Sequence, residues 1–209
     1  MVLLHGLARR FQSMRKVQVA LEKEGYRVLN VSYPSRRFRV EELSEIVLEK
    51  VAAETVEADQ IHFVTHSLGG ILVRYIQQNL AFDKIGRVVM LCPPNQGSEV
   101  VDRLGGFRAF EWVNGSAGLQ LGTREDSVLK KLGAIDFELG VITGDRSINW
   151  ILSTMLPGRN DGKVSVESAR VSGMADFKVV HTTHPNIMNK REVIEDVIAF
   201  LRLGKFAGG

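Results

Sequence analysis

A hydroxyl nucleophile needs a base to take its proton, an acid to orient that base, and N–H donors to hold the oxyanion it creates. Ser67 lies in IHFVTHSLGG, residues 61–70, where an apolar run gives way to a glycine pair. If a strand passes into a helix there, a sharp turn holds the serine out at the carboxyl edge of the sheet. The unpaired N–H groups of the helix then point to the same place. Strand and helix backbones approach closely at such a turn. Small residues are therefore needed two positions before and after the nucleophile, which is the physical content of G-x-S-x-G. Gly69 and Gly70 meet the demand on the helix side, whereas Thr65 stands where the first glycine would be and His66 directly precedes the serine. A serine that only caps a helix is the plainer reading of this stretch by itself.

Partners for Ser67 exist elsewhere in the chain. Leu68 N–H, directly after the serine, is one oxyanion donor. A second commonly comes from a loop after a neighbouring strand, and His5-Gly6 followed by the Leu7 amide suits it, because Gly6 lets the backbone turn inward. A base is available in HTTHPNIM, which holds His181 and His184, and an acid in LPGRNDGKVSVESA, where Asp161 sits in a turn-forming Asn-Asp-Gly. Serine, then aspartate, then histidine is an order in which such triads occur.

These residues need elements to position them. Apolar, β-branched runs recur at 2–4, 28–33, 61–65, 88–91, 139–143 and 177–180. Met14, Val17 and Leu21 fall at helical spacing and stop at Gly25; Val40, Leu43, Ile46, Val47 and Val51 trace a second face. Residues 68–80 predict a third helix, apolar all round and so buried on more than one side. The last helix carries Val193, Ile194, Val197, Ile198 and Leu201 on one face, with Gly204 to end it. Asn189 and Glu192 are expected to form its capping box. Alternating strands and helices predict an α/β fold, a three-layer sandwich with a mostly parallel six-stranded sheet. Residues 98–135 break the rhythm. They are glycine-rich and aromatic, and predict either a lid or a surface helix pair.

The length of 209 residues suits a single domain, 1–209. Net charge is +3, and the basic residues cluster only locally, at Arg9-Arg10 and at Arg36, Arg37 and Arg39. Nucleic acid is therefore not an expected partner; the arginines are expected to be solvated surface, with attraction to an anionic substrate or a membrane surface as the alternative. A lone Cys92 excludes an intrachain disulfide and a cysteine-cluster metal site. MVLLHG is too short for the apolar region of a signal peptide, and no run reaches the ~18 residues of a membrane helix, so a cytoplasmic location is expected.

Taken together, HGL, THSLGG, PPNQGS, NDGKV and a histidine ahead of a terminal amphipathic helix resemble the α/β-hydrolase superfamily. The resemblance is strongest to compact bacterial lipase- and esterase-like members, and it spans nearly the whole chain. It implies Ser67 as nucleophile and Leu7 and Leu68 as oxyanion donors. The family's spacing, counted back from Val193, falls on His184 as base and leaves His181 as the alternative. For the acid it offers Asp161, in a D-G-x-V segment, ahead of Asp145, directly after the fifth strand. His66 and Gly6 become supporting residues. No metal and no cofactor are implied. The chain begins at what is usually the third strand of the superfamily, which implies six strands in the order 2-1-3-4-5-6 with the second at an edge. Thr65 departs from the pattern, and Thr65→Gly is expected to leave hydrolysis largely intact.

The expected activity is hydrolysis of carboxylic esters, with a small-molecule or lipid ester as substrate. An acyltransferase or thioesterase would use the same triad: a nucleotide-sized basic pocket would favour coenzyme A thioesters, and a wide apolar cleft under residues 98–135 would favour lipid esters. A binding module that has lost catalysis is a third reading. A lid acting at lipid surfaces would require Phe107, Phe110, Trp112 and Val113 to be exposed together. Oligomeric state is left unassigned.

Overall fold

The computed structural model describes residues 1–125, 127–148 and 150–208. Six strands, β1 (Val2–Leu4), β2 (Leu29–Val31), β3 (Ile61–His66), β4 (Ile85–Leu91), β5 (Leu139–Gly144) and β6 (Asp176–Val180), form one sheet in the order β2-β1-β3-β4-β5-β6. Every pairing is parallel. The expected strand order and the edge position of β2 are both found.

Strand alternation divides the core in two. Val2 and Leu4 face one side with Phe63, Val88 and Met90; Leu3 faces the other with Val64, Val89 and Leu91. The first side is covered by α2 (Val40–Glu54) and α3 (Leu68–Asn79), the second by α1 (Arg15–Lys23) and α8 (Arg191–Leu203). Residues buried on both faces of a parallel sheet explain why the strands read as continuous apolar runs. Gly140 in β5 makes room for the core's aromatic pair: a Cβ there would lie 2.7 Å from both Phe200 and Phe206. As anticipated, α3 is buried almost all round, including the charged Arg74. Among the described residues no helix is long and apolar enough to cross a membrane.

Helix ends follow the sequence in part. Gly25 and Gly204 follow α1 and α8 with φ of 85° and 73°. The capping box expected for α8 does not form. Its N-cap is Lys190, and Asn189 belongs to a short 3-10 turn, Ile187–Asn189. Ile187 and Met188 are fully buried, so this turn is anchored in the core and the helix starts beyond it. A carboxylate does cap α2, where Glu42 Oε2 accepts from Arg39 N–H at 3.0 Å.

Residues 98–135 contain α4 (Glu99–Leu104), α5 (Arg108–Leu119) and α6 (Val128–Lys131); α7 (Trp150–Ser153) follows β5. Two kinds of tie fix the C-terminal part of this segment. Gln120 accepts from Val40 N–H at 2.7 Å and donates to Glu41 at 2.9 Å. Arg74, without a carboxylate partner among the described residues, donates to Asn95, Leu132 and Gly133 carbonyls and so anchors two loops to α3.

Candidate active site

Ser67 sits between β3 and α3 with φ 53° and ψ −120°. This left-handed backbone is uncommon for a residue with a Cβ and costs on the order of 1–3 kcal/mol. Two hydrogen bonds hold it: Ser67 N–H to Leu91 O at 2.8 Å, and Gly70 N–H to Ser67 O at 3.0 Å. Glycines make the turn possible. A Cβ on Gly69 would lie 2.9 Å from Leu4 O, and one on Gly70 would lie 3.3 Å from Thr65 Oγ1 and 3.0 Å from Met90 Sδ. Thr65 is thus accommodated by the absence of a side chain at Gly70, although its hydroxyl is buried without a partner.

His184 and Asp161 meet this serine. His184 Nε2 lies 3.2 Å from Ser67 Oγ, and His184 Nδ1 lies 2.7 Å from Asp161 Oδ2. All three residues are buried. The partners fix the tautomer: Nδ1–H donates to the carboxylate, leaving the Nε2 lone pair for the serine hydroxyl. Asp161 is held by the turn that N-D-G-K-V builds. Its Oδ1 accepts from Lys163 N–H at 2.9 Å and Val164 N–H at 2.8 Å, Gly162 has φ 96°, and His184 N–H donates to Asp161 O at 3.1 Å. Burial alone would raise the Asp161 carboxyl; the neighbouring His184, the Cys92 thiol and Val164 N–H outweigh it and hold it below the usual carboxylate value.

β1 pairs with β3, which brings Gly6-Leu7 beside the serine at the point where strand order reverses. A Cβ on Gly6 would lie 3.1 Å from Ser67 Cβ and 2.5 Å from His66 Nδ1, so only glycine allows this approach. The turn after β1 is braced: His5 Nδ1–H donates to Gly6 O at 2.9 Å, and Arg9 N–H donates to the same oxygen at 3.2 Å. In a trans peptide the N–H opposes the C=O, so fixing Gly6 O also fixes the direction of Leu7 N–H. Neither Leu7 N–H nor Leu68 N–H has a protein acceptor among the described residues. His66 supports the histidine loop, donating from Nε2 to His184 O at 3.0 Å, while its Nδ1 is buried without a partner.

The two alternative residues pair with each other. His181 Nδ1 lies 2.9 Å from Asp145 Oδ1, and Arg159 binds the same carboxylate, away from Ser67. The His181 side chain is 76% exposed, against 6% for His184.

Several contributors escaped the sequence reading. Tyr33, at the end of β2, stacks on His5 with centroids 4.1 Å apart and donates its hydroxyl to His5 O. Its position two residues beyond the strand that pairs with β1 is the signal that could have found it. Cys92, with φ 50°, lies buried at the end of β4 with its thiol hydrogen-bonded to Asp161; burial and that carboxylate push its pKa up, so it stays a neutral donor. Sγ of Cys92, a carboxylate oxygen of Asp161 and a ring nitrogen of His184 lie within 4.8 Å of one another, a grouping that could hold a metal ion. A metal there would have to displace the proton shared by His184 and Asp161.

Above Ser67 lies a cleft of about 600 Å³ roofed by α4 and α5. Val100, Val101, Leu104, Phe110 and Leu121 give it apolar walls, and Arg9 and Lys163 stand among its lining residues. Of the aromatic and apolar residues along α5, Phe107, Trp112 and Val113 are 62%, 80% and 45% exposed, Phe107 and Val113 also lining the cleft, while Phe110 is half-buried. The joint exposure that a lid would require is therefore met by three of the four residues.

Comparison with known proteins agrees with this architecture. The mature lipase BlEst2 of Bacillus licheniformis superposes with a TM-score of 0.75 at 16% identity, covering 98% of this chain and 91% of that one. The phospholipase PlaB of Legionella pneumophila gives 0.68 at 20% identity over 88% of this chain and 53% of its own, and the metagenomic carboxyl esterase MGS0156 gives 0.67 at 18% over 88% and 64%. At these identities the likeness is one of fold. No curated protein matches the sequence. A family model described as alpha/beta hydrolase family matches residues 1–176, most of the chain, and the protein belongs to that family.

Proposed function

We propose that this protein hydrolyses carboxylic esters through an acyl-enzyme on Ser67, with His184 as base and Asp161 as its orienting acid. The observation that carries the reading is the continuous path from Ser67 Oγ through the His184 ring, 3.2 Å on one side, to Asp161, 2.7 Å on the other. Ser67 Oγ attacks the ester carbonyl carbon as its proton passes to His184 Nε2. The carbonyl electrons move to oxygen, where Leu7 and Leu68 N–H donate to the oxyanion. When the intermediate collapses, the bond to the leaving alcohol breaks and the alcohol takes the proton from Nε2. Water then attacks the acyl carbon with the same histidine as base, and Ser67 recovers its proton as the acid departs.

The apolar cleft favours an ester with a hydrophobic acyl group, and the neighbours named lipase, phospholipase and carboxyl esterase support that substrate class. In this reading α4 and α5 serve as a lid, with Phe107, Trp112 and Val113 as the face that meets a lipid surface. Labelling with a fluorophosphonate, read by intact mass, tests the nucleophile. One adduct is expected on the wild type, none on Ser67→Ala and a slowed adduct on His184→Ala. Full-rate labelling of His184→Ala would move the base elsewhere, and an unlabelled, folded wild type would leave the binding-module reading in front.

A further inference from the structure

Arg9 lines both the cleft over Ser67 and a second, larger depression of about 960 Å³. Arg10, Arg36, Arg37 and Lys50 complete the charged wall of this groove, Trp112 from α5 stands at it, and among the described residues no Asp or Glu lines it. Composition does not explain this concentration. The chain has 27 basic and 24 acidic residues, yet five cations surround one concavity without an acid. Nor are the charges neutralised locally: Arg36 donates to Val113 O at 3.5 Å and Lys50 to Ser32 O at 2.7 Å, both uncharged acceptors. None of the four arginines has an ion pair with an acid among the described residues.

The groove is also built. Two parallel strands bring 9–10 and 36–37 together, since Leu4 pairs with Val31 in register. The turn between is tied by Ala8 N–H to Ser35 Oγ at 3.1 Å, with Ala8 at φ 55°. This turn is the continuation of Gly6-Leu7, so the groove opens directly beyond the peptide that faces Ser67.

We propose that this groove binds a phosphate-bearing leaving group, so that the preferred substrate is an acyl ester or thioester with its acyl chain in the apolar cleft and a phosphorylated alcohol or thiol along Arg9 toward Arg36 and Arg37. The proposal rests on the reading of Ser67 as nucleophile. Guanidinium forks match phosphate oxygens geometrically as well as electrostatically, and several of them suit a dianion better than a single carboxylate. A concave site takes a group extended from one molecule; a flat lipid surface would meet a protruding patch.

The test reads binding apart from turnover, using Ser67→Ala protein and two probes of equal acyl chain, a monoacylglycerol phosphate and the uncharged monoacylglycerol, both below their micellar thresholds. The phosphate-bearing probe is expected to bind about tenfold tighter or more, and Arg36→Gln with Arg37→Gln to remove most of that ratio. Equal affinity for the two probes, or a ratio untouched by the double variant, overturns the proposal. So does a double variant that loses binding to vesicles containing phosphatidylglycerol while keeping the ratio for monomeric probes, because the arginines would then serve a membrane surface. A coenzyme A thioester of the same chain separates the sources: tighter binding than the glycerol phosphate assigns the groove to soluble thioesters, weaker binding to phospholipid. Wild type that labels with fluorophosphonate but shows no phosphate preference refutes the groove alone. Wild type that does not label refutes the nucleophile and leaves the binding result standing.

Discussion

Replacing Asp161 by asparagine changes one oxygen for one nitrogen at the most enclosed point of the site, and the structure says how the amide will lie. Its oxygen is claimed by Lys163 N–H and Val164 N–H, at 2.9 and 2.8 Å, so the NH2 group must face His184 Nδ1 across the present 2.7 Å contact. Nδ1 then becomes the acceptor and the imidazole proton moves to Nε2, opposite Ser67, where a base can no longer act. The lost charge adds to this. Between centres about 4 Å apart at an effective dielectric of about 20, the carboxylate stabilises an imidazolium by ~4 kcal/mol. At ~1.4 kcal/mol per decade that is roughly a thousandfold in kcat/KM. Asp145→Asn is the matched control, because its partners His181 and Arg159 have side chains 76% and 68% exposed. Exposed pairs of this kind contribute at most ~1 kcal/mol, and activity should fall less than about fivefold. Both variants would be assayed on a short p-nitrophenyl ester and for fluorophosphonate labelling rate, with thermal unfolding to confirm the fold. Asp161→Asn within tenfold of wild type, or Asp145→Asn losing as much, would refute the assignment.

Ser67→Gly should abolish labelling yet raise stability by about 1 kcal/mol, because glycine adopts φ 53° without strain; thermal unfolding of the variant checks this. Burial holds His5 and His66 below their ordinary pKa values, with Gly6 and Tyr33 opposing at His5 and the neighbouring His184 and Arg9 adding at His66. The unfolded chain therefore binds protons that the folded one does not. Stability should be full above pH ~6.5 and fall below it by up to ~1.4 kcal/mol per pH unit per histidine, and His66→Gln should flatten the slope in urea unfolding at stepped pH. Thr65→Val should unfold at the same temperature or higher, since the hydroxyl it removes is buried without a partner, while Thr65→Gly should keep most hydrolysis at some loss of stability. Gly69→Ala places a methyl 2.9 Å from Leu4 O and should destabilise by about 1–3 kcal/mol, with labelling slowed as β1 shifts.

Much of the candidate site was legible because its chemistry is local. Ser67 with Gly69 and Gly70, and Asp161 in its Asn-Asp-Gly turn, declare themselves within a few residues. His184 was separable from His181 only by family spacing; the structure separates them by burial. What the sequence hides depends on register between strands. Tyr33 reaches His5, Cys92 reaches Asp161, and two arginine clusters become one groove because β2, β1, β3 and β4 lie side by side. The failed Asn189 cap is a case of tertiary override, since the buried Ile187 and Met188 set where α8 begins. Within 98–135 the sequence left a lid and a surface helix pair both open, and it could not place the helices: α4 and α5 are short and roof a cleft, so helical periodicity does not run long enough to register.

One glycine gives the roof of the cleft a mechanical character. Gly115 interrupts α5 with φ 65° and ψ −173°, and a Cβ there would lie 1.9 Å from Arg36 O, so main chain rests directly on main chain. Beyond it, Gln120 is bolted to α2, while the aromatic residues of 107–113 precede it. Gly115 thus separates a part clamped to α2 from the half of α5 that carries the aromatic residues and is held by Arg36 donating to Val113 O at 3.5 Å. It rests on the loop that carries Arg36, which is also part of the wall of the basic groove. The roof of the cleft and the wall of the basic groove thus share a main-chain contact that any side chain at Gly115 would pry apart.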